Sequence, residues 1–426
     1  MLDLRAFRTG GDEARERLAR RADPGIQEAL DRALSLDARR REVISEVEVL
    51  KARRNDVSRE IGTRKRDGAE TTDLIADMQQ VADRIRVLDG DLQQVAEALR
   101  TQLLAIPNVP DDRVPAGGEG DFEVVREWGA LPQLECEARP HWEIGADLGI
   151  LDLERGAKIA GSGFPLLVGA GARLSRGLID FMLDIHTVEH GYVEVAPPLV
   201  TNRDCLIGTG QLPKFEEDQY RTEPDDLFLI PTAEVPVTNM HRGEILDGRD
   251  LPRAYVAYTP CFRREAGAAG RDTRGLLRVH QFDKVELVRF TRPEDSPDEL
   301  ERLTRHAETV LERLELPYRR ILLAAGDLGF SNAITYDLEV WSAGVGKWLE
   351  VSSCSSYTDH QARRADIRYR PEGKGKPAPV HTLNGSAVAL ARTIVALLEN
   401  NLQKDGSVLV PEALRDYVRQ ERLTIS

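Results

Sequence analysis

Hydrophobic positions between residues 74 and 99 fall at Leu74, Met78, Val81, Ile85, Leu88, Leu92, Val95 and Leu99. The spacing alternates four and three, which is the heptad seam of a helix packed lengthwise on another helix. Upstream, Leu36, Val43, Leu50 and Val57 recur every seven residues, with Val47 and Ile61 four residues after two of them. Between the runs lies "GTRKRDGA", 62–69, whose glycines end helices and make turns. The pattern predicts two helices, about 26–61 and 70–104, paired antiparallel. Each would be roughly 50 Å long at about 1.5 Å per residue. That exceeds the width of a small domain, so most of the hairpin would project.

The pattern changes at "IPNVPDDRVPAGGEGDF", 106–122, where three prolines and three glycines read as a linker. The organisation that follows is an N-terminal domain over 1–106, a linker over 107–135 and a larger domain over 136–426. In the larger domain, helical periodicity appears at 171–190, 294–315 and 386–402. Strand patterns appear at 191–195, 226–231, 253–265, 276–290, 318–324, 333–341 and 347–353. The strands cluster without a strict β-α-β alternation, so the sheet is expected to be mostly antiparallel and the fold class α+β.

Composition adds bounds. The 426 residues are 41% hydrophobic and 31% charged, enough for two or three domains with a large core. Cys136, Cys205, Cys261 and Cys354 are scattered with no CxxC pair, which argues against a disulfide framework. No apolar run approaches the roughly 18 residues that span a bilayer, and the N-terminus lacks the apolar core of a secretory signal. A cytoplasmic protein without a membrane partner is expected.

Net charge is -14, but it is unevenly spread. The first 106 residues are nearly balanced, with a basic excess over 38–66 and an acidic excess over 70–99. Opposite charges on the two predicted helices would support their pairing. Two readings of the hairpin stand side by side: an oligomerisation element, or an arm whose basic helix lies along a polyphosphate backbone.

Against the acidic background, "CFRREAGAAGRDTRGLLRVHQF", 261–282, holds five arginines and two acids. Strand patterns lead into and out of it. Period two puts Arg263 and Glu265 on one strand face, and Phe282, Lys284 and Glu286 on a face of the next. Arginine forks onto phosphate, an aromatic face stacks a base, and a carboxylate takes the hydrogens of an exocyclic amine. The loop "AGAAGRDT", 266–273, is small-residue rich and reads as a movable cover. The bland alternative is a hairpin with a salt-bridged end. In "HTLNGSAVALARTIVALLEN", 381–400, a strand, a small-residue turn and an amphipathic helix would carry Arg392. Its charge among apolar residues needs an anionic partner, either a ligand or a buried acid. In "KWLEVSSCSS", Glu350, Ser352 and Ser353 offer the hard oxygens that suit Mg²⁺ on a nucleotide. "HTVEH" places His186 and His190 one helical turn apart, but no third ligand accompanies them, so surface or interface histidines are expected. "GTGQLPKF", 208–215, lacks a P-loop's lysine and serine and reads as a turn.

Taken together, "FRREAG", "GTGQLPKF", "IPTAEVPVTN", "GRDTRGLLRVHQFDKVE", "EVSSCS", "QARR" and "HTLNGSAVALAR" resemble the seryl-tRNA synthetase family of class II aminoacyl-tRNA synthetases. The resemblance runs along essentially the whole chain. It implies an antiparallel sheet flanked by helices, joined to a coiled-coil arm, in a homodimer. The implied reaction joins L-serine to ATP as seryl-adenylate with release of pyrophosphate, then moves the seryl group to the 3′-terminal adenosine of serine tRNA, with selenocysteine tRNA as a further candidate acceptor. By the same resemblance Arg263 and Arg392 are catalytic. Thr232, Ala233, Glu234, Arg263, Glu286, Asn384 and Ser386 would bind serine. Arg263, Arg264, Glu265, Val279, Phe282, Glu350, Val351, Ser352, Ser353 and Arg392 would bind ATP, and Glu350 and Ser353 would hold Mg²⁺. Arg53, Arg54, Arg64 and Arg66 on the arm would meet tRNA. "HGYVEVAPPLV" resembles the dimer-forming motif. His360 stands where an aromatic is expected, Arg264 where serine is common, and Ala387 and Ala391 where glycines are usual. Two other classes are consistent with the fold: an aminoacyl transferase acting on a carrier protein, and a catalytically inactive RNA-binding regulator.

Overall fold

The computed structural model describes residues 1–8, 11–266, 273–371 and 375–424. The chain divides into two compact units. One holds Leu2–Ala19 and Asp23–Pro107; the other holds Met1, Arg20–Ala22 and Asn108–Ser426.

The first unit is helical: α1 (Asp12–Ala19), α2 (Pro24–Arg66) and α3 (Thr72–Leu104). Asp23 caps α2 by accepting from the Gly25 amide at 2.9 Å, and Pro24 takes the first helical position, where no amide is needed. The predicted seam forms. Val43, Val47 and Leu88 are buried, with Leu50 and Leu92 packed against them. Arg84–Glu46 at 2.7 Å and Arg53–Asp77 at 2.7 Å tie the helices antiparallel. The predicted end of α2 needs correction: the helix runs through Gly62 to Arg66. One glycine in a helix costs only about 1 kcal/mol, so the turn falls at 67–71. With 43 and 33 residues, α2 and α3 are about 65 and 50 Å long.

The second unit is built on an eight-stranded sheet: β1 (Glu123–Trp128), β2 (Val193–Glu194), β3 (Arg253–Phe262), β4 (Gln281–Thr291), β5 (Tyr318–Leu322), β6 (Ile334–Ser342), β7 (Lys347–Ser356) and β8 (His381–Ala389). Its order is β1-β5-β6-β7-β8-β4-β3-β2, antiparallel except for the β2–β3 pair. Helices α4 (His141–Asp147), α5 (Ala170–Asp184), α6 (Ser296–Arg313) and α7 (Leu390–Asn400) contribute to the larger core. A smaller core includes Ala233, the N-cap of the helix Glu234–Asn239, Val237 within that helix, and Ala362 and Ala365 from the helix His360–Ala365. Strand β4 is central. Val285 and Leu287 enter the larger core; Val288 and Phe290, on the alternate face, enter the smaller one.

Several expectations are revised. Residues 123–128, read as linker, form edge strand β1 on β5; Val124 and Val125 are both exposed, so no alternation betrays a buried face. The strand read to residue 265 ends at Phe262, and the one read from 276 begins at Gln281. The helix read from 386 begins at Leu390, because Ser386–Ala389 stay in the ladder opposite Glu286–Lys284. His186 is a core residue, not a surface one: its Nδ1 lies 2.9 Å from His190 Nδ1, and His190 stacks on His306. Among the described residues no group of acids, histidines and cysteines is arranged to hold a metal by itself. All four cysteines are free, and no described helix is long and apolar enough to cross a membrane.

Candidate active site

The alternation of β4 builds one wall of the site. Phe282, Lys284 and Glu286 continue the face that carries Val288 and Phe290 in the core, but they line a cavity of about 430 Å³. One strand face thus passes from apolar to charged where the cavity begins. Glu286 is buried, accepts from Lys284 Nζ at 2.6 Å and receives the Ser386 hydroxyl at 3.3 Å. Ser386 reaches it from β8, directly opposite in the ladder. Gly385 beside it has no room for a side chain: a Cβ there would stand 2.7 Å from Cys354 Sγ and 2.7 Å from Leu303.

Glu234 forms a second buried carboxyl in the same cavity. Burial, and then the charge of Glu286, pushes its titration upward. Gln361 holds it, donating Nε2 to Glu234 Oε1 at 2.6 Å while accepting from the Thr382 hydroxyl at 2.7 Å. Tyr357 donates to Asn384 Oδ1 at 3.0 Å on the adjoining wall. This end of the cavity is small and polar, and Lys284 is the cation placed among its carboxyl groups.

Arg263 follows the end of β3. Its guanidinium lies 5.1 Å from the Phe282 ring centroid, and its backbone amide donates to His280 O at 2.9 Å. Glu265 also faces the cavity, though not through strand alternation. It has a φ of 52° and is clasped by Arg278, whose Nε donates to Oε2 at 2.5 Å. Arg392 comes from the start of α7. It donates to Leu277 O at 3.0 Å and to Glu350 O at 2.7 Å, and its Nη1 is 3.5 Å from Glu350 Oε2. Its partners are therefore mostly carbonyls, and the expected buried acid is absent among them. The 276–279 segment is itself fixed: the Leu276 amide donates to His141 Nε2 at 2.9 Å, and His141 Nδ1 pairs with buried Glu399 at 2.8 Å.

Most candidate residues converge. Thr232, Glu234, Arg263, Glu265, Val279 and Phe282 line the cavity, as do Glu286, Glu350, Val351, Ser353, Asn384, Ser386 and Arg392. Three do not. Ala233 is buried in the smaller core. Ser352 turns inward, and its hydroxyl donates to Ser386 O at 2.6 Å. Arg264 points away and donates to Glu217 O at 3.2 Å. Lining residues absent from the sequence-based set are Leu276, Leu277, Arg278, Lys284, Asn332 and Tyr357, among others. Only Lys284 carried a signal, its parity with Phe282 and Glu286. The proposed movable cover lies mainly at 267–272, outside the described residues. Of the departures noted above, Ala387 falls at a bulge in the β8–β4 ladder and packs into the core, Ala391 lines the cavity, and His360 is buried edge-on to Phe330.

On the arm, Arg53, Arg54, Arg64 and Arg66 are exposed. Arg53 pairs with Asp77 at 2.7 Å and Arg64 with Glu60 at 2.5 Å. Exposed pairs of this kind contribute at most about 1 kcal/mol, so an anionic backbone can compete for both arginines.

An antiparallel sheet bearing an arginine, an aromatic face and paired carboxyl groups defines a class II aminoacyl-tRNA synthetase core, and residues 214–401 match the family model for the tRNA synthetase class II core domain (G, H, P, S and T). Residues 1–110 match the seryl-tRNA synthetase N-terminal domain. A serine–tRNA ligase of Moorella thermoacetica is 62% identical over 419 residues, covering 98% of this chain and 97% of the relative. One from Clostridium novyi is 58% identical over 420 residues, covering 98% and 99%. The crystal structure of seryl-tRNA synthetase from Pyrococcus horikoshii complexed with ATP superposes with a TM-score of 0.94 at 38% identity, covering 100% of both chains. The chain belongs to the seryl-tRNA synthetase family.

Proposed function

We propose that this protein is a serine–tRNA ligase, activating L-serine with ATP and transferring the seryl group to the 3′-terminal adenosine of serine tRNA. The observation that carries the reading is the position of Arg263. It lies over the Phe282 ring and lines the same cavity as the buried pair Glu234 and Glu286. Adenine stacks on Phe282 and gives its amine hydrogens to Glu265, with Val279 beside it. The α-phosphate meets Arg263, and Arg392 takes the outer phosphates. The serine ammonium enters among Glu234, Glu286 and Asn384, where carboxyl groups outnumber cations, and Thr232 and Ser386 complete a pocket sized for a hydroxymethyl group. Ser352 supports this arrangement from behind through Ser386 O, and Ala233 packs in the smaller core beside Thr232 and Glu234.

Chemistry then needs positioning and charge neutralisation. A serine carboxylate oxygen forms a bond to the α-phosphorus, the bond to the bridging oxygen breaks, and pyrophosphate leaves. Arg263 stabilises the charge that builds on the α-phosphate oxygens. In the second step a terminal ribose hydroxyl attacks the seryl carbonyl, the carbonyl–phosphate bond breaks, and AMP leaves with release of one proton. Glu350 and Ser353 share a wall with Arg392. One carboxylate and one hydroxyl beside a triphosphate suit Mg²⁺, which uses few protein ligands and completes its shell with phosphate and water. When bound it would add charge neutralisation on the phosphates.

A carrier-protein transferase would have little use for α2 and α3, and an inactive regulator would have no use for the assembled cavity. ATP–pyrophosphate exchange across the twenty amino acids tests the assignment: serine gives strong exchange and the others little.

The protein is further proposed to be a cytoplasmic homodimer. Edge strand β2 is only two residues long, and Val188, Val193, Leu199 and Val200 around it are exposed. An apolar sheet edge of this kind needs cover. Sedimentation at micromolar concentration is expected to give twice 47.5 kDa. An active species at the monomer mass contradicts it.

A further inference from the structure

Arg21 precedes α2 in the chain, yet it belongs to the larger unit. It is buried, and among the described residues all its hydrogen bonds go to backbone carbonyls. Nε donates to Asn108 O at 2.8 Å, Nη1 to Leu328 O and Gly329 O at 3.0 Å each, and Nη2 to Asn332 O. Burial pushes its titration down to about 10. A buried cation without an anionic partner is costly, and an apolar residue of similar volume would fill the space without that cost. What the planar fork adds is a tie between the stretch 328–332 and residue 108.

Asn108 carries the tie further. It is buried, and its Nδ2 donates to Ser331 O at 3.0 Å and to Tyr357 O at 2.8 Å. Asn332 and Tyr357 line the first cavity; Arg21 and Asn108 do not. Asn332 Nδ2 donates to Ser355 Oγ at 2.8 Å, and Ser355 stands opposite Asn384 in the β7–β8 ladder. The Tyr357 hydroxyl donates to Asn384 Oδ1 at 3.0 Å. Both routes end on Asn384, and neither passes through Phe282, Glu265, Val279 or Arg392.

We infer that Arg21 is a positioning residue for the serine end of the active site: through four main-chain carbonyls it sets the place of Asn332 and Tyr357, and through them the orientation of Asn384. The inference rests on the ligase reading above, which puts the serine ammonium against Asn384 and the adenine and phosphates elsewhere. A displacement of about 1 Å in such a supporting shell weakens a site whose own residues are all still present. Loss of the fork therefore loosens the grip on serine and leaves the grip on ATP.

The test compares KM for serine with KM for ATP in pyrophosphate exchange by the full-length enzyme. Arg21→Met keeps an apolar stem in the space and removes the fork. Its KM for serine is expected to rise roughly tenfold while its KM for ATP stays within about twofold of wild type. If Arg21→Met does not fold, Asn108→Ala carries the same expectation, because it removes the Nδ2 bonds to Ser331 O and Tyr357 O and leaves the Arg21 fork in place. A residue that only stabilises the unit would lower the amount of active enzyme, so the maximal rate would fall with both KM values at wild type. That result overturns the positioning role, as does an equal rise in the two KM values. Absence of serine-dependent exchange in the wild type is a distinct failure, which removes the ligase reading and the positioning role with it.

Discussion

Replacing residues 38–98 with a short glycine-containing turn is expected to leave serine-dependent exchange intact and to abolish most tRNA charging. Every residue lining the first cavity lies between 232 and 392, and the deleted stretch belongs to the other compact unit. The hairpin has its own small seam of Val43, Val47 and Leu88, so its removal takes no residue from the larger core. What disappears is the basic surface of α2, proposed to lie along the backbone of a tRNA with a long variable arm. Neutralising Arg53, Arg54, Arg64 and Arg66 should weaken tRNA binding and flatten its salt dependence, by up to about one unit of slope for each lost phosphate contact. Measuring both half-reactions on the shortened enzyme decides between the two uses of the hairpin. If the arm only joins subunits, exchange and charging fall together and the dimer weakens. If charging equals that of the intact enzyme, the arm does not bind tRNA.

Arg263→Ala is expected to lower the rate of activation roughly 10²–10³-fold, the range for removing one preorganised charge-stabilising donor. Serine affinity should change much less. The guanidinium contact strengthens as negative charge develops on the α-phosphate, so its loss is felt mainly in the transition state. The side chain is held over Phe282, with Nε donating to Pro231 O at 3.4 Å. Pre-steady-state formation of seryl-adenylate at varied serine concentration separates the two effects. A variant with weakened serine binding and an unchanged maximal rate would assign Arg263 to ground-state binding alone.

The hairpin was legible in the sequence because a heptad seam is a long, redundant signal; Gly62 misled because an exposed helix tolerates one glycine. The β4 wall was legible because Phe282, Lys284 and Glu286 share parity. Arg263 and Glu265 were found for a different reason than the one that places them. Parity predicted a common strand face, whereas the strand stops at Phe262 and Glu265 reaches the cavity from a positive-φ position beside Arg278. Tyr357, Asn332 and Gln361 were not legible. Each lies in a stretch with no periodic pattern, and their convergence on Asn384, Ser355 and Glu234 is made by tertiary packing. Arg21 gave no signal at all: only a folded chain reveals the carbonyls gathered around its guanidinium. Strand β1 escaped because its valines face solvent.

The central claim is that the polar end of the first cavity selects serine by its hydroxyl. A site that hydrogen-bonds a substrate hydroxyl rejects the analogue lacking it by about 10⁴–10⁵-fold, because buried polar groups are then left unpaired. Thr232 and Ser386, placed at the hydroxymethyl group in this reading, are such groups, both buried in the wall of the cavity. The most direct measurement is kcat/KM for ATP–pyrophosphate exchange with serine, alanine and threonine side by side. The account predicts exchange with serine, near-background exchange with alanine, and rejection of threonine by its added methyl group. Exchange with alanine or threonine equal to or above that with serine would contradict it.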